Sequence, residues 1–193
     1  DIQKLNIKTM LWHSLGEYTA LAASKKLSIE DAAKLLKFRG QLMHDAIKPN
    51  LSGMAALIGL NSSKIQNIIQ DKNIDVEIAN DNSPIQVVIS GLNECIDNSE
   101  HLFLSNGVKK FIKLNVSAAF HSKLMYDSQE KLNSYIDQVN FSNSDICIIS
   151  NYDASIKNNT KDIIHSLKNQ MSNKVKWTES IKNLENANEN RII

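Results

Sequence analysis

Met54-Ala55-Ala56-Leu57-Ile58-Gly59-Leu60, after the break at Pro49 to Gly53, reads as a strand. Ser62 to Gln70 follows with helical spacing. Val76 to Ala79 and Gln86 to Ser90 read as two more strands, and Leu92 to Ser105 as a second helix. A fourth strand spans Lys109 to Val116, where Ile112, Leu114 and Val116 alternate with Lys113 and Asn115. The order β-α-β-β-α-β is that of a ferredoxin-like unit, which places residues 49–117 in a small subdomain of their own.

Both flanks have another rhythm. Upstream, Ser28 to Asp31 fits a helix start in which the serine hydroxyl accepts from an orphan N–H. That helix is expected to run to Ala46, with Ala32, Leu35, Leu36, Leu42, Met43 and Ala46 in one stripe. Pro49, Asn50, Ser52 and Gly53 end the pattern. Before it, residues 5–11 can form a short strand, weakened as a buried one by Lys8 and Thr9, then the turn His13 to Glu17 and a helix from Tyr18 to Ala23. Downstream of His121 a helix carries Leu124, Met125, Leu132, Tyr135, Ile136 and Val139. A strand follows at Ile146 to Ser150, then helices at Thr160 to Met171 and Trp177 to Leu184. The small unit thus looks like an insertion between these two flanks.

Composition excludes several classes. The 193 residues carry a formal net charge of +1, with 42% hydrophobic and 22% charged side chains, so nothing in bulk favours nucleic acid or an anionic membrane. No apolar run is long enough to cross a bilayer and no signal-peptide pattern opens the chain, so a cytoplasmic location is the default expectation. Cys95 and Cys147 have no metal or redox spacing and are read as reduced and structural. No metal site is expected. Of the 22 basic residues only Arg39 and Arg191 are arginine, and the abundance of Lys, Asn and Ile points to an A/T-rich coding background, in which an arginine stands out.

Ser14 lies between a strand and a helix with glycine two residues on, the arrangement of a nucleophile elbow. In that reading the Leu15 N–H is an oxyanion donor. Taken alone, a helix N-cap serine is an equal reading. Among His13, His44, His101, His121 and His165, the best base for Ser14 is His121. The start of the following helix disfavours imidazolium there and leaves a neutral ring, although a helix-capping histidine is the simpler reading of that residue by itself. His13 adjoins Ser14 and points away from it, and the other three fall in helices among polar neighbours. Arg39 projects from the middle of an apolar stripe. A guanidinium buried without a partner is costly, so Arg39 is expected to reach out to solvent, to pair with a structural carboxylate, or to await an anionic ligand that it grips with two parallel hydrogen bonds.

Taken together, His13-Ser14-Leu15-Gly16-Glu17-Tyr18, Leu36-Lys37-Phe38-Arg39-Gly40-Gln41-Leu42-Met43, Ala79-Asn80-Asp81-Asn82-Ser83-Pro84, Val116-Ser117-Ala118-Ala119-Phe120-His121-Ser122 and Asn169-Gln170-Met171 before Val175-Lys176-Trp177-Thr178 resemble the malonyl-CoA:acyl-carrier-protein transacylases. The resemblance runs from about Leu11 to Ile193, with the blocks in the family's order. It implies an α/β-hydrolase-like core, here a partial one from residues 1–48 and 118–193, with a ferredoxin-like subdomain inserted at 49–117, and a ping-pong transfer in type II fatty acid synthesis. Ser14 would attack malonyl-CoA with His121 as general base, Leu15 N–H would form part of the oxyanion hole, and the acyl group would pass to the phosphopantetheine thiol of acyl carrier protein. Arg39 would hold the malonyl carboxylate and Gln170 would help orient the histidine. Phe120 matches the malonyl-selecting form of its motif, and Asn80 and Asn82 match a loop near the pantetheine path. Malonyl-CoA enters as substrate; no permanently bound cofactor and a monomeric state are expected.

This sequence departs from the family pattern at several points. Trp12 stands where the elbow has its first glycine, and Lys8-Thr9 where the family has a buried strand. The Gly-Gln-Gly-Ser-Gln segment that supplies a second oxyanion donor is not found, nor is the C-terminal Glu-Ile-Gly-Pro-Gly strand, so the chain is expected to be the middle of a longer enzyme. The alternative is an impaired remnant that at most docks the carrier protein through Lys109, Lys110 and Lys123, lysines that otherwise make a solvated face. A plain serine hydrolase is the third reading.

Overall fold

The computed structural model describes residues 6–48 and 50–187; Leu5, at the start of the first expected strand, Pro49 and Arg191 fall outside them. The fold is α/β, with two sheets and seven α-helices among the described residues. The elements in chain order are β1 (Thr9–Met10), α1 (Gly16–Ala23), α2 (Ile29–Asp45), β2 (Ser52–Ile58), α3 (Ser62–Asp71), β3 (Val76–Ser83), β4 (Gln86–Leu92), α4 (Asn93–Ser105), β5 (Lys110–Lys113), a 3₁₀ turn (Lys123–Met125), α5 (Tyr126–Ile136), β6 (Cys147–Ile149), β7 (Ile156–Lys157), α6 (Thr160–Gln170) and α7 (Trp177–Asn186).

The smaller sheet runs β1-β6-β7, with β1 parallel to β6 and β7 antiparallel to it. The larger runs β3-β4-β2-β5 and is antiparallel throughout. β2 lies inside it and is buried along nearly its whole length, which explains why its sequence is a continuous apolar run rather than an alternation. Ala55 and Leu57 face a core made with α3 and α4, around Ile65, Ile96 and Phe103. Met54 and Ala56 face the opposite way with Ala79 and Val88, where Leu114, Val116 and Phe120 cover them. Phe120 also packs on the main core of α1, α2, α5 and α6, so it bridges two clusters immediately before His121.

Ser28 caps α2 as its sequence predicts, its Oγ accepting from Asp31 N–H at 3.0 Å. Asn61 and Asn159 cap α3 and α6 in the same way. A cap of this kind is worth about 1 kcal/mol. Lys26, at the end of the loop after α1, is fully buried; its ammonium donates to Ser144 O, Asn158 O and Asn158 Oδ1 at 2.7–3.0 Å, so all three protons are used.

Several element limits differ from the sequence reading, each for a local reason. β1 is only two residues long and half-buried, in keeping with Lys8 and Thr9. The fourth strand of the larger sheet stops at Lys113, and Ile112 is exposed on β5, which lies at the edge of the sheet. α1 starts at Gly16, two residues early, and a 3₁₀ turn separates His121 from α5. β7, a two-residue strand with one exposed residue, carries no periodic signal. Cys95 and Cys147 are free thiols.

Candidate active site

Ser14 follows β1 and precedes α1, and its φ of 51° lies in the left-handed region, uncommon for a residue with a side chain. Such a strained turn aims the side chain outward from the start of a helix. The Leu15 N–H makes no hydrogen bond to any described residue, while the next N–H groups are taken: Gly16 N–H donates to His13 O and Glu17 N–H to Ser14 O. A donor at the opening of a helix is thus left free beside the serine oxygen.

His121 comes from the loop after β5, 107 residues away in sequence. Its Nε2 lies 2.7 Å from Ser14 Oγ and its Nδ1 lies 3.0 Å from Gln170 O. A carbonyl only accepts, so Nδ1 carries the proton and Nε2 presents a lone pair to the serine hydroxyl. The ring is buried, and burial together with the nearby Arg39 charge pulls its pKa down to about 3. The neutral ring foreseen from a helix end is found, but its cause is burial first and Arg39 second.

Arg39 comes from the middle of α2 and is buried. Its Nη2 donates to Ser14 Oγ at 3.0 Å and to Gln170 Oε1 at 3.3 Å. Its Nε has no partner among the described residues. Neither simple expectation for a stripe arginine, a structural ion pair or exposure to solvent, describes it. The serine oxygen therefore sits between a guanidinium that donates and an imidazole that accepts.

Gln170, at the end of α6, meets both neighbours with different atoms. Its backbone carbonyl holds His121, and its side-chain nitrogen donates to Ser14 O at 2.9 Å and to Glu17 Oε2 at 2.8 Å. Asn82, at the end of β3, reaches the elbow through His13: Asn82 Oδ1 lies 2.9 Å from His13 Nε2, and the ring leans on Trp177. Burial lowers the pKa of His13, so it too favours the neutral ring. Asn80 is buried farther along β3, where the strand's backbone meets Val175. His44, His101 and His165 are exposed and away from this cluster. Lys109 and Lys110 are exposed, whereas Lys123 pairs with Asp75 and Glu77.

Two site residues escaped the sequence reading. Asn151, just past β6, accepts from Ser14 N–H at 2.6 Å and donates to Trp12 O at 2.8 Å, which braces the elbow from the far side. Its only signal is a place at the end of a strand. Glu17 reads as the last residue of the turn His13 to Glu17, yet it lies in α1 and is buried, and its carboxyl pKa is pushed up to about 7 by burial. Ala20 and Leu21, at i+3 and i+4, put it on the apolar face of α1, and that spacing could have revealed it. No group of acidic, histidine and cysteine residues suited to a metal occurs among the described residues.

Residues 7–193 match the acyl transferase domain family, and the chain belongs to that family. Over 175 residues it is 35% identical to the malonyl CoA-acyl carrier protein transacylase of Bacillus subtilis, covering 89% of this chain and 55% of the relative. The solved malonyl CoA-acyl carrier protein transacylase of Coxiella burnetii superposes with a TM-score of 0.89 at 34% identity, over 93% of this chain and 58% of the other. A structure of a type II PKS acyl-carrier protein in complex with its malonyl-transacylase matches with a TM-score of 0.88 at 30% identity, over 93% of this chain and 59% of that one. The chain thus spans a little over half the length of the proteins it matches.

Proposed function

We propose that this chain carries the acyl-loading site of a malonyl-CoA:acyl-carrier-protein transacylase. The observation that carries the proposal is Ser14 Oγ held at 2.7 Å from a neutral His121 and at 3.0 Å from a buried cation with no carboxylate partner among the described residues. Ser14 attacks the thioester carbonyl of malonyl-CoA as its proton passes to His121 Nε2. The oxyanion of the tetrahedral intermediate faces the Leu15 N–H. Collapse breaks the C–S bond, the coenzyme thiolate takes the proton back, and a malonyl ester remains on Ser14. The phosphopantetheine thiol of acyl carrier protein then attacks the ester, with His121 again handling the proton.

Arg39 gives the site its preference for an acyl group that ends in a carboxylate, which a guanidinium can grip through two hydrogen bonds. Phe120, packed between two cores, walls the acyl pocket beside His121 and favours the unbranched malonyl group. Gln170 orients His121, and Asn82, with Asn80 deeper on β3, flanks the pantetheine path. Relatives named as malonyl-CoA transacylases, one solved with its carrier protein, support the same substrate and partner.

For the architecture, residues 49–117 form a ferredoxin-like subdomain inserted in an α/β-hydrolase-like one built from 1–48 and 118–193. The sheet order β3-β4-β2-β5, with α3 and α4 on one face, supports the inserted unit. The parallel β1–β6 pair leading into the Ser14 turn supports the outer one.

Intact mass measured after brief exposure to malonyl-CoA tests the proposal. One malonyl adduct forms on the wild-type chain and none on Ser14→Ala; an adduct that persists in Ser14→Ala removes the assignment of the nucleophile. A holo carrier protein added afterwards takes the group, whereas release as free malonate alone would mark a hydrolase.

A further inference from the structure

Two buried charges lie close to Ser14, and they do not touch each other. Arg39 has no carboxylate within ion-pair distance among the described residues. Glu17 Oε2 accepts from Asn151 N–H at 3.2 Å and from Gln170 Nε2 at 2.8 Å, with no cation bound directly. The Gln170 side chain stands between them, its nitrogen on Glu17 and its oxygen on Arg39. A carboxylate only accepts and a guanidinium only donates, so an ionised Glu17 permits one orientation of that amide. A flip would set oxygen against oxygen on one side and N–H against N–H on the other, and would also cost the bond to Ser14 O.

We propose that Glu17 is a positioning residue of the acyl-loading site, locking the Gln170 amide in the orientation that keeps Arg39 on Ser14 and ready for a substrate carboxylate. The inference rests on the roles of Ser14 and Arg39 proposed above. Glu17 itself touches neither the serine oxygen nor the space where an acyl group would sit, and it acts through Gln170.

The lock depends on the charge of Glu17. The Gln170 and Asn151 hydrogen bonds and the charge of Arg39 on α2 favour the carboxylate; burial, the largest influence, and Asp153 beyond β6 oppose it. Tyr18, its neighbour on α1, is itself pushed up to about 12 by burial and stays neutral. Once protonated, Glu17 can donate to the amide oxygen as well as accept from its nitrogen, which removes one of the three contacts that fix the orientation and leaves Arg39 and Ser14 O to hold it. The lock therefore tightens as pH rises through about 7.

The full chain with two readouts tests this. The Gln170 side-chain amide resonances, assigned by their loss in Gln170→Met, are expected to shift with an inflection near pH 7. That inflection disappears in Glu17→Gln, which keeps shape and acceptor oxygen but not charge. In competition between malonyl-CoA and acetyl-CoA at pH 8, Glu17→Met is expected to lose malonyl preference at least tenfold while Glu17→Gln retains most of it. Amide signals that do not titrate, or that titrate alike in wild type and Glu17→Gln, overturn the positioning role. So does a folded Glu17→Met with wild-type preference; if that variant does not fold, the pH comparison with Glu17→Gln decides. Failure of wild type to accept any acyl group would instead overturn the proposed reaction, with the amide titration still deciding whether Glu17 holds Gln170.

Discussion

Arg39 donates its Nη2 hydrogen bond to Ser14 Oγ, the same oxygen that His121 engages from the other side. In the free site the guanidinium therefore rests on the serine oxygen. Under the proposed reaction it would stabilise negative charge developing on that oxygen, and a carboxylate on the incoming acyl group would compete for it. One side chain would then link nucleophile reactivity to acyl choice, its contact before loading differing from that after.

Arg39→Ala is accordingly expected to lower malonyl loading and to erase the preference for malonyl over acetyl groups. Hydrogen bonds to a charged group are worth about 1.5–3 kcal/mol each, so loss of the clamp reduces malonyl loading by at least tenfold. Arg39→Lys keeps the charge but not the fork and is expected to recover only a minor part. The check is competitive loading from mixed thioesters, read by mass; selectivity unchanged in Arg39→Ala removes the clamp.

The acid limb of loading should be unusual for a histidine base. His121 has its pKa pulled down to about 3, so it remains neutral and able to take a proton throughout the mildly acidic range. Single-turnover acylation of Ser14 from malonyl-CoA is expected to show no inflection between pH 6 and 7 that vanishes in His121→Ala. Glu17, raised to about 7, is the group whose ionisation moves the rate there, and Glu17→Gln flattens the profile. A histidine-dependent step near pH 6.5 would contradict the buried neutral ring.

Folding stability carries the same information with its own sign. His121 binds a proton more readily when unfolded than in the fold, so stability falls as pH drops from about 6.5 toward about 3. Glu17 does the opposite: its folded pKa is raised, so its contribution is present below about 4.5 and lost as pH rises to about 7. His121→Asn removes the first effect and leaves the second. Relative to wild type, the variant is expected to gain about 2 kcal/mol between pH 7 and pH 5 in urea unfolding. An unchanged difference at the two pH values would mean that His121 is not desolvated.

Much of this was legible in the sequence because it is local or periodic. The Ser28 cap, the Arg39 stripe and the strand–turn–helix around Ser14 follow from spacing within a few residues, and the apolar run at Met54 announces a strand, though not that both its faces are covered. What stayed hidden depends on contacts between distant segments. Asn151 reaches Ser14 N–H across 137 residues, and nothing near Asn151 in sequence marks it. The family resemblance puts Gln170 beside the histidine, but that its carbonyl, and not its amide, holds His121 follows only from how α6 ends against the elbow. Glu17 reads as the last residue of a turn, and its burial follows from α1 beginning at Gly16, which brings it onto the apolar face with Ala20 and Leu21.

Trp12 and Gly16 form a matched pair, which gives a prediction about the elbow itself. A Cβ added at Gly16 would lie 1.7 Å from Trp12 Cδ1, and its three nearest atoms all belong to the Trp12 side chain. The indole thus occupies the space a side chain at position 16 would need. Trp12 cannot simply move aside, because its own Cβ would stand 2.7 Å from the new atom and its backbone carbonyl is held by Asn151 Nδ2. Gly16→Ala should therefore shift the Trp12 backbone, and with it Ser14, at a cost of about 1–3 kcal/mol from overpacking. Trp12→Gly removes the obstacle and sacrifices little burial, the indole being 63% exposed. In that background Gly16→Ala is expected to cost less than about 1 kcal/mol, since alanine is a better helix former than glycine at the start of α1. A double-mutant cycle in denaturant, with Ser14 acylation measured alongside, tests the pair. Additive costs would show that the glycine is required by the turn and not by the tryptophan.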